Sequence, residues 1–284
     1  MKAVRKQFES PSQFPFYLVF KDTKSPQSEL PDHLHDWYEI VYVYEGRGTF
    51  FIDQTFHDMS SGDVFIIPGN TIHRAIPDQE IPVTSSAIFF SPLLIQNISL
   101  SYSVSYLRLF EDAKRNKIYK YSVKKNDCFT LEHYINEMKN EEIETEPDHE
   151  HAIVLNLHLL LLFLKRHCLL SDTSKNIESH YGPAWMKSVL LFIDEHLCEP
   201  LDLELLSNKA AVSSAHFSRI FKQLIGMNLI DYITTKRIIL AKELLHQSND
   251  TIQTVANQSG FQSLPHFYRT FKKHTGMTPK EYRK

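Results

Sequence analysis

At 284 residues the chain is about twice the length of a typical domain, so we expect two domains with separate cores. Its three cysteines are too few and too scattered for a disulfide framework or a thiolate zinc site, and no apolar segment suits a secretory signal or a membrane span, which predicts a cytoplasmic protein. Residues 184–284 carry 13 Lys and Arg against 9 Asp and Glu, whereas residues 1–183 carry 18 against 25, as expected of a nucleic-acid-binding module joined to an acidic domain.

Residues 14–90 have the pattern of a barrel of short β-strands. Turns rich in Gly, Asp and Pro at 45–48, 60–63 and 68–70 separate short apolar segments. The predicted strands are Tyr38–Tyr44, Thr49–Ile52, Val64–Ile67 and His73–Ile76. Short strands at this spacing indicate an antiparallel barrel or jelly roll, and no helical pattern interrupts them before about residue 93.

Polar residues in the same stretch form a second pattern. His33, His35 and Glu39 share odd parity and therefore lie on one face of a regular strand. With later residues they resemble the two sequence motifs of cupin barrels; the later residues are Gly46, Gly62, Pro68 and His73. Two or three imidazoles and a carboxylate would suit a borderline divalent metal. Asn70 and Pro77 depart from the metal-binding form of the second motif, which has Gly and Asn there.

Residues 96–175 are predicted to be mainly helical. Helical patterns occupy 101–114, 127–145 and 150–168. The third contains an apolar seam of a/d-like spacing over about two heptads, formed by Ile153, Leu157, Leu160 and Leu164. The seam either packs against the barrel or joins two copies of the chain. The polar stretch Ser171–Ser179 is the predicted linker.

The last hundred residues contain one helical unit twice. His216–Lys222 recurs fifty residues later as His266–Lys272, and each copy runs on to a Gly-Met pair. Each copy is predicted to form a helix, a short turn and a second helix, at about 202–225 and 251–275. The predicted helix caps are Asp202, Ser213, Thr251 and Ser263. Gly260 would allow a positive φ in the second turn.

The second helix of each copy has an apolar stripe and a polar face. The stripe positions, at i, i+3, i+4 and i+7, are Phe217, Ile220, Phe221 and Leu224 in one copy and Phe267, Thr270, Phe271 and His274 in the other. Between the copies, Leu229–Gln247 is predicted to be one stiff helix of about 28 Å. Such a connector could place both second helices in successive major grooves of B-DNA. The alternative, a helical-repeat scaffold, normally needs three or more units.

These hundred residues resemble the DNA-binding domain of AraC/XylS-type transcription regulators. The resemblance covers Ala184 to the end and is strongest in Ala256–Arg283, which contains Gly-Phe, Phe-x-Arg-x-Phe-Lys, Gly-x-Thr-Pro and Tyr-Arg elements. Leu206 departs from it, standing where the first copy usually has a small residue. The resemblance implies an α+β multidomain fold: a cupin-like effector-binding barrel at 1–95, a helical linker and dimerisation region at 96–175, and an all-α domain at 184–284 with two helix-turn-helix motifs.

By this resemblance, the start of each second helix contacts DNA. Base contacts are expected from Ser214, Ala215, Ser218 and Arg219 in the first copy and from Leu264, His266 and Arg269 in the second. Phosphate contacts are expected from Lys222, Lys272 and Lys273. Arg can donate two hydrogen bonds to guanine, and Ala or Leu can contact a thymine methyl group. The differences between Ala215 and Pro265, and between Ser218 and Tyr268, predict that the two copies prefer different half-sites.

The resemblance also implies a small organic effector, often a sugar, in the barrel. The predicted pocket consists of His33, His35, Trp37, Glu39, Tyr42 and His73. Three interpretations of its polar residues remain open: an effector pocket without metal, a divalent-metal site at His33, His35, Glu39 and His73, and purely structural histidines. No cofactor other than the effector is expected, unless the metal interpretation holds.

The sequence therefore predicts a DNA-binding transcription regulator that responds to a small effector and is not an enzyme. The expected partners are double-stranded DNA, the effector, a second copy of the chain and, for an activator, RNA polymerase; no membrane is expected. The alternatives are a metal-dependent cupin enzyme with an accessory DNA-binding domain and a regulator that needs no effector.

Overall fold

The computed structural model describes residues 4–5, 14–24, 33–96, 106–144, 146–167 and 182–283. Its backbone divides into two compact units, one of residues 6–179 and one of residues 180–284 that also includes residues 1–5. The predicted linker Ser171–Ser179 and the start of the predicted helix at 101–114 lie outside the described residues. Among the residues that are described, none belongs to a helix long and apolar enough to cross a bilayer.

Short strands dominate the amino-terminal part of the chain. In chain order they are β1 (Val4–Arg5), β2 (Phe16–Lys24), β3 (His33–Leu34), β4 (Tyr38–Glu45), β5 (Gly48–Ile52), β6 (Thr55–Met59), β7 (Asp63–Ile67), β8 (His73–Pro77), β9 (Val83–Phe90) and β10 (Lys120–Ser122). Strands β4, β5, β7 and β8 confirm the four predicted strands to within one residue at each end.

The strands of the unit at 6–179 form two antiparallel sheets. One sheet runs from β3 through β8 and β5 to β6, and the other runs from β10 through β7, β4 and β9 to β2. Their inner faces meet, since the Phe50 ring on β5 lies 4.9 Å from the Phe65 ring on β7. Because side chains alternate along a strand, Glu39, Val41 and Val43 of β4 face this interior, and Tyr38, Ile40 and Tyr42 face the opposite way.

Four helices belong to the described part of this unit, and the second and third contact the outer face of the sheet that contains β4. They are α1 (Leu93–Gln96), α2 (Leu107–Asn116), α3 (Cys128–Glu144) and α4 (His149–His167). The Tyr38 ring stacks on Phe110 of α2 at 4.2 Å, and the Tyr42 hydroxyl donates to Glu132 of α3 at 2.8 Å. The seam residues of α4 are all buried in the same core as the barrel; they are Ile153, Leu157, Leu160 and Leu164. Packing within the unit is therefore confirmed for this seam, and it is not available to a second copy.

Residues 182–283 of the carboxy-terminal unit form helices joined by short turns and loops. Its helices are α5 (Trp185–Glu195), α6 (Leu203–Lys209), α7 (Ser214–Ile225), α8 (Leu229–Gln247), α9 (Ile252–Gln258), α10 (Leu264–Thr275) and α11 (Pro279–Arg283). The side chains of Asp202, Ser213 and Thr251 each accept a hydrogen bond from a backbone amide three residues on, as predicted for caps. Ser263 occupies the cap position of α10 without such a bond. The single connector helix α8 is confirmed.

The two helix-turn-helix motifs, α6–α7 and α9–α10, do not repeat at a constant interval. The Val212 amide donates to the Ser207 carbonyl at 3.1 Å, and the Phe261 amide donates to the Ala256 carbonyl at 2.9 Å. Ser207 is therefore equivalent to Ala256, and the second turn contains one extra residue, Gln262, before its cap.

This register corrects the predicted departure at Leu206. Leu206 is equivalent to Val255, and both are fully buried, whereas the small residue expected in the first copy is the neighbouring Ser207. The prediction was wrong because it assumed a constant interval of fifty residues. The same register makes Ala211 equivalent to Gly260; Gly260 has φ +81° as predicted, and Ala211 has φ +54° despite its side chain.

Candidate nucleic-acid interface and barrel site

The apolar stripes of α7 and α10 decide which side chains face outward. Phe217 and Phe221 on α7, like Phe267 and Phe271 on α10, are completely buried. Eight of the ten residues predicted to contact DNA are exposed on the opposite faces: Ala215, Ser218, Arg219, Lys222, His266, Arg269, Lys272 and Lys273. The second helix of each motif therefore exposes a short basic surface.

The other two predicted contacts occupy equivalent positions and are only half-buried. Ser214 begins α7, and its hydroxyl lies 2.9 Å from the hydroxyl of the buried Ser207 on α6. Leu264 begins α10 and packs against the core of the second motif. Both side chains hold their helix pair together, which leaves less of each for contact with a base.

The two exposed arginines have different surroundings. In the first motif, Arg219 Nη2 lies 3.3 Å from His216 Nδ1, so the imidazole accepts from the guanidinium. In the second motif the equivalent His266 ring lies 5.8 Å from the Phe261 ring, and Arg269 makes no hydrogen bond or ion pair with the described residues. The first arginine is therefore held by its own helix, whereas the second extends freely.

The barrel interior contains a buried cluster of two histidines and one carboxylate, which we call the triad: His35, Glu39 and His73. Glu39 Oε2 lies 3.1 Å from His35 Nε2 and 2.9 Å from His73 Nε2. Each of the three residues is at most 3% exposed. The strands produce this convergence because β4 and β8 belong to facing sheets and both side chains point inward. The structure thus brings together three of the four predicted polar pocket residues.

Backbone carbonyls determine the tautomer of both imidazoles. His35 Nδ1 lies 2.7 Å from the Trp37 carbonyl oxygen, and His73 Nδ1 lies 2.9 Å from the Thr71 carbonyl oxygen. A carbonyl can only accept, so both Nδ1 atoms carry a proton. In a neutral imidazole the Nε2 atom would then present a lone pair to the carboxylate. The arrangement therefore requires a positive centre between Nε2 and Glu39, either a proton or a cation.

Within the triad, the pKa values of Glu39 and His73 are shifted in opposite directions. Burial alone would raise the pKa of Glu39, but the histidines, His73 foremost, hold it well below its usual range. Burial alone would lower the pKa of His73, but the Glu39 carboxylate outweighs burial and raises it. Without a metal, the triad is thus a buried ion pair in which the proton lies on the imidazole side.

Tyr42 was wrongly predicted to line the same pocket. It faces the opposite side of β4 from Glu39, and its hydroxyl donates to Glu132 of α3. Burial, reinforced by that carboxylate, raises the pKa of the Tyr42 hydroxyl. Trp37 is half-buried against the core and contributes its carbonyl to His35. The backbone of His33 pairs with His73, but its side chain lies outside the described part of the structure.

Ser85 is a residue of the interior that the sequence did not single out. It pairs with Val43 across β4 and β9 and therefore shares the inner face with Glu39. Its side chain is fully buried, and its hydroxyl has no hydrogen-bond partner among the described residues. A serine between Thr84 and Ser86 gives no distinct signal in the sequence, because only the pairing register shows which of these side chains faces the interior.

Comparison with known proteins decides the family. A family model described as an AraC-like ligand binding domain matches residues 15–112, and one described as a helix-turn-helix domain matches residues 206–284. The chain belongs to the AraC family of transcription regulators. This AraC-family protein has the α+β multidomain fold expected, and it is a DNA-binding regulator that responds to an effector through its amino-terminal domain.

Relatives of this AraC-family protein differ in how much of it they match. It is 23% identical to the HTH-type transcriptional activator RhaS of Enterobacter sp. strain 638 over 265 residues, 92% of this chain and 90% of that protein. It is 30% identical to the bifunctional transcriptional activator/DNA repair enzyme AdaA of Bacillus subtilis over 130 residues, 41% of this chain and 62% of that protein. A solved AraC-type DNA-binding regulator from Chromobacterium violaceum is 30% identical over 34% of this chain and 85% of that chain, with a TM-score of 0.32.

Proposed function

We propose that this regulator binds duplex DNA with α7 in one half-site and α10 in the next. The observation that carries the proposal is the pair of matching surfaces, in which a fully buried aromatic stripe leaves Arg219 and Arg269 exposed at equivalent positions. The connector α8 has 19 residues, about 28 Å, which is close to the roughly 34 Å between successive major grooves on one face of the duplex.

The roles of the exposed residues follow from their chemistry. Arg219 and Arg269 can donate in pairs to guanine, and Ala215 can contact a thymine methyl group. Ser218 and His266 extend the same surfaces by hydrogen bonding to base edges. Lys222, Lys272 and Lys273, one or two turns along each helix, contact phosphates, which position the protein without specifying sequence.

Two substitutions on α10 test this division of roles. Arg269→Ala should cost about 1 to 3 kcal/mol at the preferred duplex and little on random DNA, whereas Lys272→Ala should weaken both and reduce the slope of log K against log salt by about 1. Fluorescence anisotropy across a salt series would measure both effects. Unchanged specific and nonspecific affinity in Arg269→Ala would remove this residue from the interface.

We propose that the effector binds in the barrel interior, at the triad. The supporting observations are the buried charges of Glu39 and His73 among aromatic rings and the unpaired hydroxyl of Ser85 on the same inner face. Ser85 lies four residues from Glu39 along the paired strands, about 13 Å. A buried hydroxyl without a partner is costly unless a ligand completes it. A sugar or another polyol presents hydroxyl groups that could form hydrogen bonds with Glu39 at one end of the interior and with Ser85 at the other.

Calorimetry on the full-length protein tests the effector site. A panel of sugars and polyols is titrated into wild type and into variants Glu39→Gln and Ser85→Ala, with Tyr42→Phe as the control on the opposite face of β4. The proposal expects at least about tenfold weaker binding in each interior variant, which is the cost of one or two lost hydrogen bonds, and no change in the control. Wild-type affinity in the Glu39→Gln, Ser85→Ala double variant would refute it.

A divalent metal at the triad is the second candidate for the barrel. The supporting observation is the donor set, because two Nε2 atoms and a carboxylate oxygen, all within 4.8 Å of one another, converge with their Nδ1 atoms fixed by carbonyls. This is the outer-shell arrangement of histidines that bind metals. His35, Glu39 and His73 would hold the ion, which would supply a Lewis-acidic anchor for oxygen atoms of the effector. Titration with Co²⁺ should produce visible absorption that saturates at one Co²⁺ per chain, and His73→Ala should abolish it. If wild type shows no saturable binding of Co²⁺, this candidate is eliminated.

We propose that the regulator acts as a homodimer through the exposed face of α4. Leu155 is 53% exposed and Leu159 is 45% exposed, on the side of α4 opposite the buried seam. An antiparallel pair of α4 helices would place the exposed Glu150 near the basic end at Arg166 of the second copy. Sedimentation should show that Leu155→Glu with Leu159→Glu yields monomers, whereas Leu93→Glu, which changes another exposed leucine of the unit, does not.

The remaining partners follow from operator binding. We propose that the regulator works in the cytoplasm, where its DNA is, and that it activates transcription by contacting RNA polymerase, as expected from relatives named transcriptional activators. We also propose that it has no enzymatic activity. Transcription in vitro from a template carrying the preferred duplex, with and without added protein, tests activation. An unchanged amount of transcript would contradict activation, and a reduced amount would indicate repression.

A further inference from the structure

The loop after α5 is bound by a single arginine of the connector helix. Arg237 Nε donates to the Leu197 carbonyl at 2.9 Å, and Arg237 Nη2 donates to the Glu199 carbonyl at 2.6 Å. The planar guanidinium suits two carbonyls at once, which a lysine ammonium cannot reproduce. Residues 197–199, here called the α5 loop, are therefore fixed to the middle of α8.

The other side of the α5 loop contacts the turn of the second motif. Cys198 Sγ donates to the Gln258 carbonyl at 2.8 Å. Gly260 is packed so closely that a Cβ there would lie 2.6 Å from the Leu197 carbonyl oxygen and 2.7 Å from Arg237 Nε. The need for glycine at this position thus comes from close packing as well as from its φ of +81°. The equivalent Ala211 of the first turn is exposed and has no such packing.

The same loop is joined to the first motif through α5. The Trp185 ring at the start of α5 stacks on Phe217 of α7 at 5.2 Å. At the other end of α5, Asp194 forms an ion pair at 3.0 Å with Lys236 of α8, whose side chain is only 11% exposed. The two motifs are therefore linked twice, once along the chain through α8 and once through α5 and its loop.

We propose that Arg237, the α5 loop and Gly260 form a brace that sets the spacing between the two DNA half-sites, with Arg237 as a positioning residue for recognition. This inference rests on the proposed two-motif binding of DNA. Inserting one base pair moves a half-site by about 3.4 Å and rotates it by roughly 34° about the duplex axis. A rigidly braced pair of motifs cannot follow that change, whereas a pair joined only by the short segments at either end of α8 can.

The test measures dependence on spacing. Duplexes are first selected from a random pool with the full-length wild type, and the preferred duplex is then rebuilt with its half-sites one or two base pairs closer or farther apart. Wild type should lose at least about tenfold in affinity at a change of one base pair, the cost of losing about one base contact. Arg237→Ala should bind these altered duplexes within about threefold of the original, and Arg237→Lys should fall between the two.

Two control variants separate the brace from other effects. Gln247→Ala changes an exposed residue of the same helix and should keep the wild-type spacing profile. Arg219→Ala removes a base contact and should lower affinity at every spacing by one factor, with the profile preserved. A general loss of stability would likewise lower all affinities together, so the shape of the profile distinguishes positioning from folding.

The outcomes are distinct. A wild-type profile in Arg237→Ala, at whatever absolute affinity, overturns the brace. Should Arg237→Ala fail to fold, as judged by Trp185 fluorescence in a Trp37→Phe background, Arg237→Lys and Cys198→Ala decide the question, and wild-type profiles in both overturn it. Selection of no preferred duplex by wild type overturns the two-motif function itself and so differs from a failure of the brace alone.

Discussion

The turns of the two helix-turn-helix motifs allow the free-energy cost of placing a side chain at positive φ to be measured twice in one protein, at Ala211 and at Gly260. Ala211 has φ +54°, where an L-residue costs about 1 to 2 kcal/mol, and its exposed methyl group makes no packing contribution to lose. Ala211→Gly removes that cost but increases the entropy of the unfolded chain by about 0.4 to 1 kcal/mol. The net expectation is a gain of about 0.5 to 1 kcal/mol in unfolding free energy, or about 2 to 8 °C in Tm for a unit of this size.

Gly260→Ala at the equivalent position should have the opposite sign. The new Cβ would carry the same backbone cost and would also collide with the Leu197 carbonyl and Arg237 Nε, for a net loss of about 2 to 4 kcal/mol. Urea unfolding in a Trp37→Phe background would report on this unit alone, since Trp185 is the other tryptophan of the chain. Destabilisation by Ala211→Gly, or equal effects of the two substitutions, would refute the assigned register and its strain.

Two further predictions concern the barrel. In metal-free protein, Glu39 contributes to the free energy of unfolding above its unfolded pKa of about 4.3, and this contribution is lost as pH falls through its lowered folded pKa. His73 contributes below its unfolded pKa of about 6.5, and this contribution is lost as pH rises through its raised folded pKa. Calorimetry should therefore find the highest Tm between those two limits, and Glu39→Gln should flatten the profile; an unaltered profile would contradict the ion pair. Tyr42→Phe should cost about 1 kcal/mol in urea unfolding, because Glu132 is only partly buried and can rehydrate; a change in effector affinity would contradict its position outside the barrel.

Local patterns predicted the elements of the carboxy-terminal unit well. Caps such as Asp202 and Thr251, the aromatic stripe of α7 and the uninterrupted pattern of α8 are all signals contained within one turn or one helix. The register between the two motifs could not be obtained in this way. The extra residue Gln262 becomes visible only when the turn hydrogen bonds of Ser207 and Ala256 are matched.

In the barrel unit, the sequence predicted the strands but not which side chains come together between them. The side chains of His35, Glu39 and His73 converge, but the parity prediction was wrong in assuming one regular strand for His35 and Glu39. β3 ends at Leu34 and β4 begins at Tyr38 in the other sheet, so His35 lies between the two strands. Tyr42 was misplaced because it was grouped by residue type, whereas its even parity puts it on the other face of β4. The seam of α4 was ambiguous for a similar reason: its spacing shows that one face is apolar, but only the packing of α4 on α3 within the common core shows what covers that face.

The most direct test of the central claim is the base preference of each motif measured separately. Duplexes selected by wild type, Arg219→Ala and Arg269→Ala would be sequenced and compared position by position. The account predicts two half-sites of different sequence about one helical turn apart, with each substitution relaxing preference in one half only. The account would be contradicted if either substitution alone relaxed the preference in both halves, or if neither substitution relaxed it in any half, because each motif would then not read its own half-site.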